Sequence, residues 1–199
     1  MAGMTGRAPA MAGDALPDDA ALLVVDVQNG LDDPTFGQRN NPGAEENLAR
    51  LLAAWRRTAR PIVHVQHLSR RPESPLRPGQ PGVEIKGVVA PVGDEPVVQK
   101  RVNSAFIGTD LEARLRDRGV GTVVVTGLTT DHCVSSTARM AGDLGFETYV
   151  VADATAAFGR LGYDGRRFSA EEIHAVALAN LHEEFATVVE TDDLLRRLR

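Results

Sequence analysis

The chain has 199 residues, enough for one α/β domain with a sizeable core and short for two. Its 43% hydrophobic and 25% charged residues match ordinary globular usage, which excludes a mainly disordered chain, and no run approaches the roughly 18 uninterrupted apolar residues of a membrane span. A net charge of −5 argues against a basic nucleic-acid face, while the single cysteine, Cys133, excludes an internal disulfide and a cysteine-rich zinc site and fits a cytoplasmic protein.

Residues 1–18 are rich in Ala, Gly and Met and hold no compact apolar segment. They read as a flexible tail with alternative starts at Met4 and Met11, not as a signal peptide. The folded domain is expected over 19–199, without an internal repeat. Ala21–Asp26 (ALLVVD) is an apolar run ending in an acid, the pattern of a buried parallel strand. Pro42-Gly43 opens a helix through Arg57, with Leu48, Leu51, Leu52 and Trp55 on one face. Pro61–Leu68 is a second strand.

Ser69–Pro96 carries six prolines and reads as a surface loop with one short strand, a candidate lid or interface. Its Arg70, Arg71 and Arg77 are either solvated charges or a clamp for an anionic substrate. Val97–Lys100 is a short strand. A helix follows over Thr109–Arg118, with Thr109 and Glu112 forming a capping box and Gly119 as the stop. Thr122–Thr126 is the strongest strand pattern, Gly127–Asp131 a turn, and Cys133–Leu144 a helix closed by Gly145. Phe146–Val151 is a strand. Ser169 and Glu172 cap a helix to Glu184, and a strand over Phe185–Glu190 and a short helix over Asp192–Leu198 complete the chain.

Alternating strands and helices, with strands apolar on both faces, predict a three-layer α/β/α, Rossmann-like fold around a mostly parallel sheet of about six strands. Ligands in such folds bind beyond the carboxyl ends of the strands. Asp26 ends the first strand, Lys100 the third, and Cys133 follows the fourth. Cys133 reads as a nucleophile activated by a helix N-terminus and a nearby ammonium, or as a buried small hydrophobe. Asp26 is a base or a structural acid, and Lys100 an active-site cation or a surface charge beside Arg101. His132 adjoins Cys133, but neighbouring helical side chains diverge, so a Cys–His dyad is the weaker reading. His174 and His182 read as surface or packing residues.

Three segments, LLVVDVQNGL (Leu22–Leu31), VVQKRVNSAF (Val97–Phe106) and VTGLTTDHCVSSTAR (Val125–Arg139), resemble the isochorismatase-like cysteine hydrolase superfamily, as does YVVADATAAF (Tyr149–Phe158). The resemblance runs from about Ala20 to Leu195 and implies an Asp26–Lys100–Cys133 triad. Cys133 would attack an amide, ureide or lactam carbonyl to form an acyl-thioester. Asp26 would take and return the proton, and Lys100 would stabilise the thiolate. It also implies a cis Leu128–Thr129 bond, with the backbone N–H groups of Thr129 and Cys133 forming an oxyanion hole.

Nicotinamidases of that superfamily hold a metal through an Asp-x-His pair. The matching stretch here is His67-Leu68-Ser69, so no metal and no cofactor are expected. His67, three residues from His64 and on the opposite strand face, is a candidate for substrate contact. Gln28, Leu31, Phe36 and Phe106 are further pocket candidates. Asn103 and Ser104 would shape the turn after Lys100, and Asp131 would cap the helix that carries Cys133. The alternatives are an isochorismatase-type vinyl ether hydrolase and a non-catalytic binding protein on the same fold. The expected partner is a small molecule, with neither nucleic acid nor membrane. The family also implies a homodimer or homotetramer, with the Met140 helix and the proline-rich loop as candidate interfaces.

Overall fold

The structure is a computed structural model that describes residues 15–198. One six-stranded sheet comprises β1 (Ala21–Val25), β2 (Ile62–His67), β3 (Val97–Lys100), β4 (Thr122–Leu128), β5 (Glu147–Ala156) and β8 (Thr187–Val189). Its order is β3-β2-β1-β4-β5-β8, and every pairing is parallel. Between β5 and β8 the chain makes a small antiparallel hairpin, β6 (Arg160–Leu161) and β7 (Arg167–Phe168), which the sequence pattern did not signal.

Every residue of β1 and β4 is buried, so both faces of the sheet need cover. Successive side chains alternate between those faces. Leu22 and Val24 join Val124, Tyr149 and Val151 under α1 (Ala44–Arg57) and α5 (Thr191–Arg197). Leu23 and Val25 join Val123, Val125 and Val150 under α2 (Leu111–Asp117) and α3 (Ser135–Asp143). Leu48, Leu51, Leu52 and Trp55 form the apolar face of α1. Their burial is worth about 1.5–3 kcal/mol per large side chain. The Trp55 indole N–H donates to the Ala20 carbonyl at 2.9 Å, so its polar atom is satisfied.

Some local expectations change. α2 starts at Leu111, and its capping box is not formed: the Thr109 hydroxyl instead donates to the Ala105 carbonyl at 2.6 Å. The box at Ser169 and Glu172 is formed and starts α4 (Ala170–Ala179), which ends short of Glu184. The 69–96 loop has no strand, only an isolated bridge from Ile85 to Gln28 and two 3₁₀ turns. It is anchored where Gly82 meets Gly30: a Cβ on Gly82 would lie 2.5 Å from the Pro75 carbonyl oxygen. Most of the expected tail, residues 1–14, lies outside the described residues. Its end is docked, with Leu16 buried and its N–H donating to the Arg197 carbonyl at 3.0 Å.

Candidate active site

Strand register assembles the site. His67 at the end of β2 lies opposite Lys100 at the end of β3, and Val25 at the end of β1 lies opposite Val65 and Gly127. Chain order reverses between β1 and β4, so a crevice opens beyond their carboxyl ends. Asp26, just past β1, has φ 52°, a left-handed conformation that Asp tolerates better than most residues. On β4, Gly127 has φ 108°, and a Cβ there would sit 2.0 Å from the Val25 carbonyl oxygen. Only glycine lets β4 approach the strand that delivers Asp26.

Leu128–Thr129 is cis, and a wide π-type turn over Thr130–Val134 follows before α3 begins. Cys133 therefore sits inside that turn and not at the first residue of an α-helix. Asp131 does not cap it. Its carboxylate pairs with Arg160 of β6 at 3.1 Å. His174 of α4, expected to be a surface or packing residue, instead bonds the Thr130 hydroxyl through Nδ1 at 2.8 Å and so braces the turn.

The Lys100 ammonium is the hub. Its Nζ lies 2.6 Å from Asp26 Oδ2, 3.1 Å from His67 Nδ1, 3.1 Å from the Val102 carbonyl and 3.2 Å from Cys133 Sγ. Three hydrogens serve four acceptors, so its charge is shared among them. The Lys100 and Asp26 side chains are 0% and 2% exposed. Asp26 Oδ1 is buried without a hydrogen-bond partner.

Burial raises the Asp26 carboxyl above its ordinary value, against the lowering charge and hydrogen bond of Lys100. Burial also pushes the Cys133 thiol up, and the charge of Asp26 adds to the shift while Lys100 only partly offsets it. Sequence features alone predict the opposite, a thiol lowered by a helix N-terminus and an ammonium. No α-helix starts at Cys133, and desolvation together with Asp26 outweighs Lys100. The result is a protonated thiol beside a carboxyl made more basic. Burial, helped by Lys100, lowers His67 to about 4, so the imidazole is neutral at pH 7. An ammonium can only donate, so Nδ1 accepts and the ring hydrogen sits on Nε2.

A cavity of about 540 Å³ opens above these groups, with Asp26, His67, Thr129 and Cys133 among its lining. Leu31, Phe36, Leu76 and Phe158 give it an apolar wall, and Phe36 stacks on Phe158 with ring centroids 5.3 Å apart. Leu31, Phe36 and His67 are thus cavity residues, as the sequence suggests. Gln28 is not. Its amide is committed to backbone, donating to the His67 and Val83 carbonyls and accepting from the His67 N–H. Phe106 is not either, because it stacks on Phe146 in the core. Ser104 does shape the turn, its hydroxyl accepting from the Phe106 N–H at 3.3 Å, whereas Asn103 lines the cavity. Sequence reasoning missed Phe158, although its place just after β5 follows the strand-end rule. It also missed Leu76, Arg101 and Arg160, which line the cavity from loops and the hairpin.

Atoms of Asp26, His67 and Cys133 lie within 4.8 Å of one another, the one group of metal-ligating type among the described residues. The Lys100 ammonium already contacts all three and supplies the positive charge at their centre. Among the described residues no helix is long and apolar enough to cross a membrane.

Comparison with known proteins agrees with this architecture. The family model described as Isochorismatase domain matches residues 20–193. An uncharacterized isochorismatase family protein of Bacillus subtilis (strain 168) is 47% identical over 180 residues, 90% of this chain and 96% of that protein. Nicotinamidase 3 of Arabidopsis thaliana is 32% identical, over 90% of this chain and 88% of its own. A crystal structure of an isochorismatase-family protein from Chromobacterium violaceum ATCC 12472 superposes with a TM-score of 0.90 at 44% identity, covering 96% of this chain and 98% of that one.

Proposed function

The chain belongs to the isochorismatase family, and from that premise we propose that it is a cysteine hydrolase cleaving a C–N bond in a small amide, ureide or lactam. The observation that carries this reading is the single ammonium of Lys100 in contact with both Asp26 and Cys133 at the floor of one cavity. The similarity to a nicotinamidase, a protein named for amide cleavage, supports the choice of bond.

In this mechanism Cys133 Sγ attacks the carbonyl carbon as its proton passes to Asp26, whose Oδ1 has no other partner. The raised thiol keeps its proton until attack, and the raised carboxyl is the better base for taking it. Lys100 holds the sulfur as it becomes negative, so the charge separation is brief and local. Backbone N–H groups of Thr129 and Cys133 receive the oxyanion. Asp26 returns the proton to the leaving nitrogen, the C–N bond breaks, and an acyl-thioester forms. Water then attacks the thioester, giving its proton to Asp26, and the released sulfur recovers one. The reaction so written uses no cofactor. A cytoplasmic homodimer or homotetramer acting on a small molecule completes the proposal.

The test is ammonia or amine release across small amides, ureides and lactams, with wild type and Cys133→Ala run together. Turnover that falls at least about a thousandfold in Cys133→Ala supports the covalent route. Isochorismate cleavage that survives Cys133→Ala would instead support vinyl ether hydrolysis. No turnover across the panel, with one of these compounds bound equally tightly by wild type and Cys133→Ala, would support a binding role.

A further inference from the structure

A protein of net charge −5 places an excess of positive charge at the mouth of this one cavity. Four arginines line it, Arg70, Arg71, Arg101 and Arg160. Arg160 is matched by Asp131 at 3.1 Å, and Asp26 is matched by Lys100 at 2.6 Å. Arg70, Arg71 and Arg101 have no ion pair among the described residues, and Glu73 on the same turn does not line the cavity. Three arginines without an ion pair among the described residues therefore line the cavity that holds Cys133.

The turn that carries Arg70 and Arg71 is held in place, and Arg101 follows directly on β3. The Ser69 N–H donates to the Leu76 carbonyl at 3.0 Å, the Arg71 N–H to the Ser69 hydroxyl at 3.2 Å, and the Ser74 N–H to the Arg71 carbonyl at 3.2 Å. Leu76 is buried against the apolar wall. The charge of Arg71 also reaches His132, another residue of the cavity lining, and helps to lower its imidazole after burial and Arg160. Arg77, eight residues past Ser69, stays outside.

We propose that the substrate is anionic, carrying a carboxylate that Arg70, Arg71 and Arg101 hold while its amide or ureide carbonyl reaches Cys133. This rests on the placement of Cys133 as nucleophile. Guanidinium forks match carboxylates in geometry as well as charge. A cavity lined by one sign of charge also raises the local concentration of the opposite sign.

Because the chain has one cysteine, alkylation reads out this field without knowledge of the substrate. Iodoacetate is anionic and iodoacetamide is its neutral counterpart. Their second-order rates on Cys133, followed by intact mass at 10 mM and 0.5 M NaCl, are compared with those of N-acetylcysteine. The expected preference for iodoacetate, relative to that reference thiol, is about tenfold at low salt. It should shrink at high salt and fall to the reference in the triple variant Arg70→Gln, Arg71→Gln, Arg101→Gln. Each single variant should lower it about twofold, which keeps the test open if the triple variant melts early. A preference equal to that of the reference thiol, or one indifferent to all the arginine variants, overturns the proposal. Slow reaction with both reagents is what a thiol raised by burial gives, so the ratio of the two rates judges the rim.

Discussion

Replacing Lys100 by Met removes the charge and keeps most of the volume. The side chains of Lys100 and Asp26 are 0% and 2% exposed, and the bond between them is 2.6 Å. The substitution leaves Asp26 Oδ2 without its donor beside an Oδ1 that already has none. Removing one partner of a buried pair costs about 3–5 kcal/mol, most of it the penalty of the stranded charge. For a chain of this size each kcal/mol moves the melting temperature by about 2–4 °C, so a fall of roughly 6–20 °C is expected at pH 8. The cost must also depend on pH. The Asp26 carboxyl already lies above its ordinary 3.8, and loss of the ammonium raises it further. A carboxyl raised in the folded state binds its proton more tightly there than in the unfolded chain. Its contribution is therefore fully present below the unfolded value and lost as pH rises through the folded one. The deficit of Lys100→Met against wild type should be largest at pH 8 and shrink toward pH 5, as Asp26 becomes neutral. Urea denaturation of both proteins at pH 8, 6.5 and 5 measures it, and groups remote from the site cancel in the difference. Asp26→Asn combined with Lys100→Met removes both charges and should recover most of the loss. A deficit below about 1 kcal/mol at pH 8, or one constant across pH, would refute the reasoning.

Three further outcomes are expected. Gly127→Ala puts a Cβ 2.0 Å from the Val25 carbonyl and should cost more than about 4 kcal/mol, whereas Gly93→Ala, also at positive φ but with nothing within 4 Å, should cost about 1; equal melting temperatures would disprove the close approach. Burial favours a raised Glu45, but hydrogen bonds and charge from Arg39 and Lys86 outweigh it and hold the carboxyl at about 2, so its stabilisation is present above the unfolded value and lost as pH falls through about 2. Glu45→Gln should then cost about 1–2 kcal/mol at pH 7, with more than half of that difference gone by pH 3, as denaturant titrations would show. The imidazole resonances of His67 should stay flat from pH 8 to 5.5 and move only near pH 4; a midpoint near 6.5 would mean that the ring is neither buried nor beside the Lys100 charge.

The sequence by itself determined the layers and which residues stand beyond the strand ends. Runs such as TVVVT, apolar on both faces, are stable only inside a covered parallel sheet, and such a sheet presents its strand ends to one crevice. That logic marks Asp26, Lys100 and Cys133 with no knowledge of the loops. The Ser169–Glu172 cap was equally legible, because both partners lie within one turn. Where a competing partner was distant or unsignalled, local reading failed. Thr109 turned to the Ala105 carbonyl, Gln28 to backbone of β2 and the 69–96 loop, and Phe106 to Phe146 across the core. The Arg70, Arg71 and Arg101 rim and the Phe36–Phe158 wall likewise join segments far apart in the chain. The state of Cys133 shows the division most clearly. The helix N-terminus anticipated there is replaced by a wide turn, whereas a neighbouring ammonium can be anticipated along the chain and lowers a thiol. The burial and the carboxylate that raise it exist only once four strands have packed side by side, because desolvation is a property of the assembled interior.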